Sequence, residues 1–105
     1  MNKLIKKRTD FFSSNLRQRF GDNISDIFIF GSRARGDYHI GSDYDFAVIV
    51  KTKDKSVING IREIEVDFLN KFDELSGSLI YSENEWQRKQ RFPIGINILR
   101  EGIKI

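Results

Sequence analysis

The chain has 105 residues, 18 Lys and Arg against 15 Asp and Glu, and a single Pro, which suits one folded domain and not a disordered tail. No run approaches the roughly 18 apolar residues of a membrane span, and the basic start lacks the apolar stretch of a secretion signal, so membrane and exported readings are set aside and a cytoplasmic one is expected. Cysteine is absent, which removes disulfides, thiol catalysis and cysteine-ligated zinc, and a net charge of +3 reads as an ordinary solvated surface, not as a footprint for direct nucleic-acid binding.

In chain order, Ile5, Phe12, Leu16 and Phe20 fall on one helical stripe, which Gly21 ends. Ile27-Phe28-Ile29-Phe30 is a short apolar run closed by Gly31 and predicts a buried strand. A polar stretch from Gly31 to Gly41 precedes a second strand, Asp43 to Val50. There Asp43, Asp45, Ala47 and Ile49 share one face, and Tyr44, Phe46, Val48 and Val50 the other. Val57, Ile61, Ile64, Phe68, Phe72 and Leu75 step at helical spacing despite the cost of Gly60 among them. Ser78 to Tyr81 predicts a third strand. Ser82 and Glu85 form a capping box for a short helix carrying Trp86, which is expected to cover the edge of the core. Pro93 opens a last helical segment, ended by Gly102 before the apolar Ile103-Lys104-Ile105 tail. This order predicts a small sheet with helices packed on it.

Chemistry concentrates between Gly31 and Asp45. Gly31 has no side chain to keep a ligand from the backbone, and the Ser32 hydroxyl and the amides after it suit phosphate oxygens. Arg33 and Arg35 add fork-shaped cationic donors. Asp43 and Asp45, two apart on a strand, project from one face, where their mutual repulsion is relieved by a cation. Such a pair suits Mg²⁺, which takes oxygen ligands and keeps its other sites for water and substrate phosphates. His39, the only histidine, is expected to be an exposed loop residue.

Gly31-Ser32, ten intervening residues and Asp43-Tyr44-Asp45 resemble the signature of the DNA polymerase β-like nucleotidyltransferase superfamily. Gly31-Ser32-Arg33-Ala34-Arg35-Gly36 with Gly41-Ser42-Asp43 is similar to its minimal nucleotidyltransferase branch, small single-domain proteins often encoded beside a HEPN-domain partner. The resemblance implies that residues 1–105 form one minimal nucleotidyltransferase domain of the α+β class, with the polymerase β-like fold built on a small mixed sheet. It further implies that Asp43 and Asp45 are catalytic and bind two Mg²⁺ ions. Gly31 and Ser32 would hold the triphosphate of ATP or another NTP, with Arg33, Arg35 and Ser42 as further phosphate contacts. The implied reaction moves AMP onto a hydroxyl, with a tyrosine of a HEPN toxin as acceptor and this chain as the antitoxin. Active members of the superfamily usually carry a third acidic residue on a later strand, yet the matching strand here, Gly77 to Tyr81, has none. Glu85 reads as a cap, Glu83 as a favourable charge at a helix start, and Asp67 and Asp73 as solvent-facing. The alternative is therefore a catalytically degenerate module that neutralises its partner by occlusion.

Overall fold

Amphipathic spacing produces the two long helices of the computed structural model, which describes residues 1–105. Helix α1 (Lys3–Phe20) buries Ile5, Thr9, Phe12 and Leu16, with the Asn2 side chain capping its first turn. Helix α3 (Lys55–Phe72) buries Val57, Ile61, Ile64 and Phe68. The glycine in α3 has a packing reason. A Cβ on Gly60 would collide with the ring of Phe20, so the small residue lets the end of α1 approach.

These helices cover one face of a four-stranded sheet of order β3-β2-β1-β4, made of β1 (Ile24–Phe30), β2 (Tyr44–Val50), β3 (Ser76–Ser82) and β4 (Ile103–Lys104). β1 runs antiparallel to β2 and to β4, while α3 carries the chain over to a parallel β3. The alternation expected of β2 is borne out. Tyr44, Phe46, Val48 and Val50 join the core under α1 and α3, where Phe12 and Phe46 stack with ring centroids 3.8 Å apart. Ala47 and Ile49 face the opposite way, under α4 (Glu83–Lys89) and α5 (Pro93–Glu101), with Phe28, Tyr81, Trp86 and Ile98. These two short helices cover only the far end of that face, and its other end stays open around Asp45.

Element boundaries shift in four places. β2 begins at Tyr44, one residue later than expected, because its ladder starts where the Tyr44 amide donates to Leu75 O at 2.9 Å and Tyr44 pairs with Ser76. β1 and β3 both extend beyond their apolar runs by pairing with β2, β3 over its whole length and β1 from Asp45 to Val50. α3 stops at Phe72, not Leu75. Asp73 takes a left-handed conformation (φ 55°, ψ 35°) as its C-cap, and Leu75 is left exposed. The apolar tail is a strand in its own right, pairing Ile103 with Ile29 and Lys104 with Phe28.

Candidate active site

Asp45 is placed by the register of β2. It lies opposite Phe30 on β1 and Gly77 on β3, on the face that α4 and α5 leave open. Gly31, the residue after Phe30, turns the chain at φ 73°, and a Cβ there would overlap the Asp45 carboxylate. The carboxylate of Asp45 therefore rests directly against the glycine bend. From the bend rises α2 (Ser32–Arg35), a single helical turn stopped by Gly36. The amides of Ala34 and Arg35 donate to Gly31 O, whereas those of Ser32 and Arg33 open the helix, where the first amides have no intrahelical acceptor. Two such N–H groups following a left-handed glycine suit anionic oxygens.

Asp43 is exposed, just before β2. Burial raises the Asp45 carboxyl above the usual carboxylate range, the charge of Asp43 adds to the rise, and Arg35 opposes it. Asp43, Asp45 and Arg35 thus share one electrostatic neighbourhood. Asp43 and Asp45 line different pockets. One of about 630 Å³ includes Asp43, His39, Ile40, Leu4 and Leu75 in its lining, and one of about 340 Å³ is lined by Asp45, Phe30, Arg62, Gly77, Ser78 and Leu79.

The remaining sequence-derived candidates divide. Arg35 is half-exposed and bonded to Asp37 and Glu101 at 3.2 and 3.0 Å, partners that raise its already high pKa. Ser42 is occupied as a loop staple, its hydroxyl accepting from the His39 amide and its carbonyl from Arg33. Arg33 departs from the expected phosphate contact. Its side chain is only 4% exposed, donates to Ser42 O and Glu74 Oε2 at 3.0 Å each, and lies between the rings of Tyr38 and Tyr44. Its Nε and Nη2 donors are already engaged, and its guanidinium packs over two aromatic rings. Glu74 also pairs with Arg8 of α1, so this network ties the loop before Asp43 to α1 and to the turn after α3. Sequence reading missed it, because Arg33 and Glu74 are separated by 41 positions.

A third acid does not join the pair, and no group of three His, Cys, Asp or Glu residues surrounds a common point. The position beside Asp45 in β3 is Gly77, and Leu79 follows it on the same face. Glu83 and Glu85 stand beyond Ser82, five residues or about 17 Å farther along β3. Glu83 there accepts from Ser25 at 2.9 Å. Glu85 closes the capping box and binds Lys53, and its carboxyl is held below the usual range by the Ser82 amide first and by Lys53 second.

Two carboxylates, one partly desolvated and pressed by its neighbour's charge, fit a hard cation that shares its shell with substrate phosphates. When bound, Mg²⁺ would neutralise charge that develops on phosphoryl oxygens.

A family model for the nucleotidyltransferase domain matches residues 12–103. Two Methanocaldococcus jannaschii proteins named for protein adenylyl transfer are similar to the chain. MJ1305 is 30% identical over 98% of this chain and 71% of its own length. MJ0604 is 29% identical over 87% of each. Among solved structures, a nucleotidyltransferase structure from Sulfolobus solfataricus superposes with a TM-score of 0.59 at 21% identity, covering 93% of this chain and 76% of that one. A toxin–antitoxin structure with AMP-PNP superposes at 0.58 and 19% identity, covering 89% and 68% respectively. At such identities these two likenesses speak for the fold alone.

Proposed function

We propose a specific reaction for this chain, which belongs to the nucleotidyltransferase domain family: it moves AMP from ATP onto a hydroxyl of a partner protein. An acceptor oxygen bonds to the α-phosphorus, the bond from that phosphorus to the β-phosphate oxygen breaks, pyrophosphate leaves, and the hydroxyl proton passes to water. The amides of Ser32 and Arg33 and the cationic Arg35 bind and orient the triphosphate, and Asp43 and Asp45 hold the Mg²⁺ that accompanies it. Phosphoryl transfer relies mainly on such positioning and charge neutralisation.

The observation that carries this reading is the Asp45 carboxylate lying against the Gly31 bend, within the field of Asp43 and beside the amides that open α2. The relatives named for protein adenylyl transfer support a protein hydroxyl as acceptor. The toxin–antitoxin neighbours are consistent with a toxin as that partner, while the tyrosine of a HEPN protein as acceptor and the antitoxin role rest on the family resemblance of the Gly31-Ser32 and Asp43-Tyr44-Asp45 motif. Intact-mass measurement of a co-expressed HEPN-domain protein tests the reading. Co-expression should add AMP to the partner, and Asp43→Asn with Asp45→Asn should abolish the addition. AMP addition that survives the double change refutes it.

One observation favours a second reading. Gly77 and Leu79 stand where a third carboxylate would complete the site, and a chain weakened there would neutralise its partner by occlusion. In that case the partner stays unmodified, and the aspartate changes leave its binding intact.

A further inference from the structure

Helix α5 is apolar on two sides. Its inner side packs Ile98 and Ile94 into the smaller core cluster. Gly95 lies so close to the Lys89 carbonyl that a Cβ would overlap it, which presses α5 against α4. On its outer side Ile96 and Leu99, preceded by the N-cap residue Phe92, remain 46%, 51% and 55% exposed. They form one stripe along the helix. Scattered apolar surface residues are ordinary, but a contiguous stripe on a helix already anchored by its other side marks an interaction surface.

The charges around the stripe have one sign. Arg88, Lys89, Arg91 and Arg100 are exposed, and none of them enters an ion pair. Every acid of the same segment is engaged elsewhere: Glu83 with Ser25, Glu85 with Lys53 and the Ser82 amide, Glu101 with Arg35. An apolar strip rimmed by free cations complements an acidic partner. A second copy of the chain, docked about a two-fold axis, would set these cations against their own equivalents.

We propose that the outer face of α5 docks an acidic amphipathic helix of the acceptor protein, with apolar residues along Phe92, Ile96 and Leu99 and carboxylates over the four cations. That the docked protein is the acceptor rests on the transfer reading. The placement favours it, since α5 ends at Glu101, which holds Arg35 near Asp45.

The test is a titration of the isotope-labelled full chain, without nucleotide, with a stapled helical peptide bearing Leu on one stripe and Glu on its flanks. Amide shifts should be confined to residues 88–101, and binding should weaken with added salt. Ile96→Ser with Leu99→Ser should bind about tenfold or more weakly, with an unchanged circular dichroism spectrum, since neither side chain is in the core. Arg88→Glu with Arg91→Glu should transfer the preference to a Lys-flanked peptide. Shifts elsewhere, no binding, or equal binding of the Lys-flanked peptide by the wild type would overturn the proposal. So would a preference for vesicles of anionic lipid, or self-association of the chain that the serine changes abolish. Binding is read without ATP, so a chain that docks the peptide but modifies no partner counts against the transfer reading alone.

Discussion

At Asp45, burial and the charge of Asp43 both favour the protonated carboxyl. Between the ordinary carboxylate value near about 4 and the raised native value, the folded chain holds more protons than the unfolded one. Stability therefore falls as pH rises through that window, and the loss is complete above it. Asp45→Asn should raise Tm at pH 7 by a few degrees, with the gain vanishing below about pH 4, while ending transfer; a pH series of thermal melts checks this. Gly31→Ala should act in the opposite direction on stability. An alanine at φ 73°, ψ −159°, a region almost confined to glycine, costs about 1–3 kcal/mol, and its Cβ displaces the Asp45 carboxylate, so melts should show a lower Tm and a discontinuous assay should show at least a tenfold loss of transfer. The glycine, the serine and both aspartates stand out in the sequence through spacing alone. The inward turn of Arg33 does not, because what claims its donors is Ser42 O and Glu74, brought in by folding.

Strands and helices were readable where burial imposes a period. β2 alternates because each of its faces meets a different layer, and α3 steps by threes and fours because one side meets the sheet. Their ends follow other rules. α3 stops early at Asp73, and Glu74 just beyond reaches both Arg33 and Arg8. β4 is only two residues long, too short to carry a period, and it is specified by the open edge of β1. The capping box of α4 was legible in full, since its partners are three residues apart. Ser82→Ala should lower stability by about 1 kcal/mol in denaturant titration. Transfer should remain at wild-type rate, because α4 lies at the far end of β3 from Asp45.

Across the molecule, two layers of helices treat the sheet unequally. α1 and α3 seal one face, while α4 and α5 cover half of the other, and the carboxylate pair sits at the uncovered half beside the glycine bend. The position of the label in ATP separates AMP transfer from transfer of the terminal phosphate. Purified chain, acceptor and Mg²⁺ are incubated with ATP labelled at either the α- or the γ-phosphate, and the protein-bound label is counted. Acceptor labelling is expected from the α position only, and none when Asp43 and Asp45 are both Asn. Label arriving from the γ position, or α-label that persists in the double variant, would contradict it.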